Sequence, residues 1–381
     1  MTRLLTVYDS VDPLNNVISA LTIKAEKVFF IYHHHVSEYI FENIRAVLGK
    51  YYGIKAEFIR LVDDDIQISE ILDKNKKIVV DVGGATYLSL LLFEMVRNRD
   101  NQIIYYDDDE NRIKDYRTHT VINAEVFKLQ IEDVLTLRGG EIKEHMHHVV
   151  TDKETKKALV TLVENNIENY SSFIRYITKI NSILNNREYL GSNTYQLKSS
   201  DIQSFVTDNE FDRSKELFEI DEENRLTFKT GKLREMVSIS GAFLENYLYI
   251  KLKESGLFDD IKMSTVIDFS DDKYSYPVRC EIDCLIIKNN RLLFVSCKST
   301  KADATTLNEI YVHNSRFGNA LSLPVLCVCE ELDRKYPSTY AKGEELGIYI
   351  VDRSSFLKGN VAEVFASILD GTYEYDDVTK I

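Results

Sequence analysis

The chain has 381 residues, 44% of them hydrophobic, which is more than one ordinary core needs, so two domains and a connector are expected. Four prolines argue against long disordered linkers, and no apolar run is long enough for a membrane span or a signal peptide. The formal charge of -14 excludes a protein that coats nucleic acid by phosphate neutralisation alone; nucleic-acid chemistry here needs locally concentrated positive charge or bound metal ions.

Leu4 to Tyr8 reads as a first strand, and the loop SVDPLNN opens a helix that runs through Ala20. KVFFIY, Lys27 to Tyr32, is a second strand. His35 to Gly49 has helical spacing with Ile40, Ile44 and Leu48 on one face, and Ala56 to Leu61 is a third strand. KKIVVDV gives a fourth; Gly83-Gly84 breaks it, and LSLLLFEMV continues as an apolar helix. Gln102 to Tyr106 is a fifth strand, ending in the acidic run Asp107 to Glu110, which reads as a solvated loop. Strands alternating so regularly with helices predict an α/β domain, a parallel sheet with helices on its faces. Val149 to Asn186 is helical and highly charged, and residues 187–235 are less regular apart from pieces such as RLTFKT; both read as a connector. From Ser238 a helix (GAFLENYLYIKLKESG), a hairpin, a helix near Leu307 to Asn319, and strands at Pro324 to Cys329 and Gly347 to Asp352 indicate a second α/β domain. The expected division is 1–148, 149–235 and 236–381.

All five cysteines fall between Cys280 and Cys329, an odd number within strand-like segments. Reduced core thiols in a cytoplasmic protein are the natural reading. Cys280, Cys284, Cys327 and Cys329 match no common zinc-ligand spacing. His33-His34-His35 and His145, His147 and His148 form two loop clusters; loop histidines are commonly just solvated, though the first cluster is placed to rim a ligand pocket.

The chemistry concentrates in RCEIDCLIIKNNRLLFVSCKS, residues 279–299. Asn289-Asn290 suits a two-residue hairpin turn, because asparagine tolerates positive φ. That turn pairs Lys288 with Arg291, Ile286 with Leu293, Asp283 with Ser296 and Glu281 with Lys298. Alternation then puts Glu281, Asp283, Ser296 and Lys298 on one face, and Cys280, Ile282, Cys284, Val295 and Cys297 on the other. Two carboxylates beside a lysine suit a hard divalent cation and a phosphate; a cross-strand Glu281–Lys298 ion pair on a solvated face accounts for the same pattern. Glu245, in the helix just upstream, is either a third carboxylate for that cation or an ordinary exposed helix glutamate.

A helix glutamate, a strand aspartate and x-x-K on the next strand resemble the PD-(D/E)xK restriction-endonuclease-like superfamily. More narrowly, GAFLENYLY, CEIDCLIIKNNRLLFVSCKS, LNEIYVHNSRFGNA and AKGEELGIYIVD, within about residues 236–352, resemble the nuclease half of the CARF-linked effectors of type III CRISPR systems, the Can and Card proteins. That resemblance implies a nuclease dependent on Mn²⁺ or Mg²⁺, with Glu245, Asp283 and Lys298 in its catalytic core and Glu281 as an additional metal ligand. The family usually places Glu two residues before the lysine, where this chain has Ser296, so Glu281 supplies the missing charge, or metal is held more loosely, or the site is inactive.

The N-terminal βα pattern is similar to the CARF domain, a Rossmann-like module that binds cyclic oligoadenylates as a homodimer. Two loops carry the likeness: Ser10 to Asn16, with Ser10, Asp12 and Asn15, and Asp81 to Thr86, with Gly83, Gly84, Ala85 and Thr86. The commoner family pattern in the second loop is T-G-G-T-K, and the lysine is absent here. The resemblance implies a homodimer, cyclic tetra-adenylate or a related ring as activator, and single-stranded DNA, RNA or nicked duplex DNA as substrate. A dead nuclease fold acting by binding, and a CARF phosphodiesterase using Ser10 and Thr86 on its own activator, are the rival readings.

Overall fold

The computed structural model describes residues 2–8, 13–33, 36–84, 86–123, 125–145, 149–208, 210–239, 241–269, 278–299, 302–317, 322–358 and 360–373. Its elements in chain order begin with β1 (Arg3–Val7), α1 (Leu14–Thr22), β2 (Lys27–Tyr32), α2 (Glu38–Tyr52), β3 (Lys55–Arg60), α3 (Asp64–Lys74), β4 (Val79–Asp81), α4 (Tyr87–Val96) and β5 (Ile103–Asp107). β6 (Arg112–Asp115), β7 (Val121–Asn123), α5 (Ile131–Leu137) and β8 (Gly140–Glu144) follow. The first sheet has the order β3-β2-β1-β4-β5-β6-β7. β1 to β5 pair in parallel, and β6 and β7 add an antiparallel edge. Strand order reverses between β1 and β4, which is where open α/β sheets open a ligand crevice at the strands' carboxyl ends. One face of this sheet is sealed by Leu5, Val7, Ile31 and Val80 against Ile68 and Leu72 of α3 and Leu88, Leu92 and Val96 of α4. The acidic run after β5 forms the turn into β6, where Lys114 Nζ meets Asp107 at 2.8 Å and Glu110 at 2.8 Å. β6 and β7 carry no apolar run long enough to announce them in the sequence.

Segment 149–235 holds α6 (Lys153–Asn166), α7 (Tyr170–Leu184), β9 (Glu188–Gly191), β10 (Thr194–Gln196), α8 (Ser199–Val206), β11 (Phe218–Ile220), β12 (Arg225–Phe228) and α9 (Gly231–Met236). Its strands form an antiparallel sheet, β11-β12-β10-β9. The remainder comprises α10 (Ala242–Ser255), β13 (Asp260–Phe269), β14 (Val278–Lys288), β15 (Arg291–Lys298), α11 (Ala304–Phe317), β16 (Ser322–Val328), α12 (Leu332–Lys335), α13 (Pro337–Glu345), β17 (Tyr349–Val351), α14 (Arg353–Leu357) and α15 (Val361–Leu369). Its sheet has the order β17-β16-β15-β14-β13-β8. By contacts the chain divides into two units, residues 1–143 with 267–280 and 317–321, and residues 144–266 with 281–316 and 322–381.

Segment 149–235 falls in the second unit and shares its core. Phe173 and Ile177 of α7, Phe228 of β12, Phe243 and Leu248 of α10, and Cys284, Leu293 and Val295 of the hairpin join one buried cluster. Asn246, fully buried on α10, accepts from the Val150 N–H at 2.8 Å and donates to the Ala242 carbonyl at 2.9 Å, joining the start of this segment to the helix that carries Glu245. No helix among the described residues is long and apolar enough to cross a membrane.

Candidate functional site

The hairpin forms as its turn chemistry dictates. Asn289 and Asn290 take φ of 52° and 65°, the mirror-image turn that matches strand twist, and Lys288 pairs with Arg291 and Ile286 with Leu293. Beyond Cys284 and Val295 the Asp283 carboxylate takes over: Oδ2 accepts from the Cys297 N–H at 2.6 Å and from the Ser296 hydroxyl at 3.3 Å. Asp283, on β14, is thus held against β15 by the donors of Ser296 and Cys297. Burial raises its pKa, and the Cys297 N–H and Lys298 pull against that.

Glu245 stands in the first turn of α10, whose N-cap is Gly241 at φ +88°. A Cβ at 241 would overlap the Glu245 Oε1, so the glycine serves both the left-handed backbone and the space for the carboxylate. Half-buried, the Glu245 carboxyl is pushed up to about 8 by burial first, then by the charges of Asp283 and Glu281, with Lys298 opposing. It is therefore no ordinary exposed helix glutamate. Nor do Glu281 and Lys298 close into an ion pair: Glu281 is exposed, and no such bridge forms among the described residues.

Three carboxylates and one ammonium thus share an electrostatic neighbourhood built from α10, β14 and β15. Their oxygens do not converge tightly: among the described residues, only Asp107, Asp108 and Asp109 bring three ligand atoms within 4.8 Å of one another. Those three line the β5–β6 turn, with Asp107 held by Lys114. Mg²⁺ normally keeps several waters and takes one or two carboxylates, so Asp283 with Glu245 or Glu281 fits such an ion without a tight protein cage. Ser296 spends its hydroxyl on Asp283 and orients it.

Two residues of this site carry no sequence signal. Tyr170, at the start of α7, is 1% exposed; its hydroxyl and that of Ser299 lie near each other and near Glu245, yet neither makes a hydrogen bond of good geometry among the described residues. Only the packing of α7 onto the hairpin puts Tyr170 there. The five cysteines are all buried and joined by no disulfide, and none enters a metal-sized cluster among the described residues.

In the first unit, β1, α1 and the end of β4 are joined by a buried polar cluster. Asp81, 1% exposed, accepts from the Gly83 N–H at 2.9 Å and the Thr6 hydroxyl at 3.4 Å, while the Asn16 amide reaches Thr6 at 2.6 Å and Asp81 at 3.5 Å. Burial pushes the Asp81 carboxyl up to about 6. Thr6 escaped sequence reasoning, and Asn16 and Asp81, which bound the two loops singled out there, were given no role; an acid at a strand end two residues before Gly-Gly is the signal that marks Asp81. Gly84 takes φ +98°, and the Thr86 hydroxyl caps α4 by accepting from the Ser89 N–H at 3.2 Å. The Asn15 side-chain oxygen is buried and makes no hydrogen bond among the described residues. His33 bonds Asp64 at 2.6 Å and stacks near Tyr87 with ring centroids 6.3 Å apart, an ordered residue beside the β4 loop rather than a solvated one. Ser10, Asp12 and Ala85 lie outside the described residues, as do His34, His35, His147 and His148. His145 is exposed.

No family model matches this sequence, and no curated protein does. Solved structures do match in fold. Protein VC1899 from Vibrio cholerae superposes with a TM-score of 0.76 at 16% identity, over 96% of this chain and 98% of that one. Can2 from Sulfobacillus thermosulfidooxidans, solved in complex with cyclic tetra-adenylate, superposes with a TM-score of 0.69 at 17% identity, over 95% and 99%. The two-part α/β architecture is therefore a fold shared over nearly the whole length of both chains.

Proposed function

We propose that this chain is a metal-dependent nuclease switched on by a cyclic oligoadenylate, a type III CRISPR effector. The observation that carries the reading is the meeting of Glu245, Asp283 and Lys298 from three separate elements, in a chain with the fold of Can2. Mg²⁺ or Mn²⁺ bound by Asp283 with Glu245 or Glu281 would polarise the scissile phosphate and lower the pKa of a bound water. This chain's residues supply the rest. Ser296 and the Cys297 N–H hold Asp283 in place, Lys298 neutralises charge building on the phosphate, and Glu245 is poised to hold or release a proton near neutral pH.

For the sensor half the reading is cyclic tetra-adenylate, or a ring of related size, at the carboxyl ends of β1 and β4, where Gly83, Gly84 and Thr86 follow β4, Asn15 stands in the first turn of α1, and His33 follows β2. A cyclic ligand with internal symmetry suits two copies about a two-fold axis. Val62, just before α3, and Ile66, Tyr87 and Leu90, on the opening turns of the adjacent helices α3 and α4, are exposed and give a second copy an apolar surface to cover.

The test is cleavage of labelled single-stranded DNA, RNA and supercoiled plasmid with Mn²⁺ or Mg²⁺, with and without cyclic tetra-adenylate, for wild type and Lys298→Ala. Cleavage needing ligand and metal, and lost in the variant, supports the reading. A second reading, a sensor that acts by binding alone, is favoured by Ser296 in the usual carboxylate position and by the open spacing of the three acids; tight ligand binding with no cleavage selects it.

A further inference from the structure

We propose that the cavity at the start of α7 binds a phosphodiester of the substrate strand next to the scissile one, with Arg175 as the residue that grips it. The inference rests on the nuclease reading and deepens it. The cavity, of about 480 Å³, opens between the first turn of α7, the residues that follow β16, Lys335 and Arg353. Its position follows from strand register. Lys298 pairs with Val328 across β15 and β16, and the next residue, Cys329, lines the cavity. Cys329 is thus about 4.8 Å across and one residue along from Lys298, with its side chain on the opposite sheet face, that of Cys297 and Cys327, so the cavity approaches the site from behind the β15 end, on the side of Tyr170 and Ser299. Tyr170, on the facing wall, lies in the electrostatic range of Glu245.

The wall charges are mostly spent on one another. Glu330 is held by Lys335 at 2.7 Å and by the Ser171 hydroxyl at 2.6 Å, and Arg353 bonds Glu331 at 2.8 Å and the Glu168 carbonyl at 2.7 Å. These bonds shape the cavity and leave little charge over. Arg175 differs: it is exposed, its guanidinium donates to the Ser172 hydroxyl at 2.9 Å, and it makes no ion pair among the described residues. It offers the planar fork that suits phosphate, beside the positive end of a 15-residue helix. On a chain of net charge -14, such a local cation next to the reacting centre is what a polyanionic strand requires. The exposed Glu168 carboxylate on the same cavity works against it.

The experiment uses the intact protein and fluorescein-labelled single-stranded DNA and RNA 15-mers. Anisotropy at several salt concentrations gives affinity and salt slope; cleavage with Mn²⁺ and cyclic tetra-adenylate gives kcat and KM. Arg175→Ala should weaken strand binding roughly tenfold, flatten the log–log salt slope by about 0.7 for one lost phosphate contact, and raise KM while kcat stays within about twofold. Arg175→Lys should recover part of the affinity, and Glu168→Gln should tighten binding. If wild type binds and cuts the strands while Arg175→Ala and Glu168→Gln match it in affinity and slope, the cavity is off the strand's path and the nuclease reading stands alone. If wild type with activator and metal neither binds nor cuts any strand, the nuclease reading falls and takes the cavity assignment with it.

Discussion

Glu245→Gln should stabilise the metal-free protein, and increasingly so as pH rises. The folded carboxyl is pushed up to about 8 from an ordinary 4.5, so the folded chain binds its proton more tightly than the unfolded chain does. Stability from that proton is complete below 4.5 and is lost progressively as pH climbs to about 8. At about 1.4 kcal/mol per pH unit the interval bounds the effect near 5 kcal/mol, and partial solvent access reduces it to roughly 2–4 kcal/mol. Glutamine keeps the shape and carries no charge, so its stability should be nearly flat over the same range. Urea unfolding of both proteins in EDTA at pH 5.5, 6.5, 7.5 and 8.5 measures this, with the midpoint moving and the m-value unchanged. Adding Mg²⁺ or Mn²⁺ should stabilise wild type more strongly at the higher pH values, because the ion replaces the proton, and should do less for the variant. Parallel pH curves for the two proteins would refute the buried, acid-crowded picture of Glu245.

Gly241→Ala should cost about 1–2 kcal/mol for its left-handed backbone and displace the Glu245 carboxylate, so cleavage should fall far more than the denaturation midpoint. Asn246→Leu strands the buried Val150 N–H and should destabilise by about 1–3 kcal/mol in urea, with any surviving folded protein still binding the activator. Asp81, pushed up to about 6, loses its contribution to stability as pH rises from 3.8 to about 6; Asp81→Asn should therefore flatten the pH dependence of the urea midpoint over that range. The buried thiols should resist a thiol reagent in the native state and yield five equivalents in denaturant.

Much of the architecture is readable from local pattern. Period-2 and 3.6 spacing locate β1 to β5 and the helices between them, because each element must bury one face, and the Asn-Asn turn sets the hairpin register down to which side chains share a face. The closeness of Asp283 and Ser296 is readable for that reason, and their side chains meet at 3.3 Å. Tertiary structure decided the rest. Nothing local says that Tyr170, more than a hundred residues before the hairpin, is buried in the core that the hairpin shares, or that segment 149–235 joins that core. Sequence alternation left open whether Glu281 and Lys298 would pair, and among the described residues they do not. Desolvation, which makes Glu245 and Asp81 chemically distinctive, and the charge repulsion that adds to it at Glu245 depend on what surrounds a side chain on all sides, and a linear pattern carries only its neighbours along the chain.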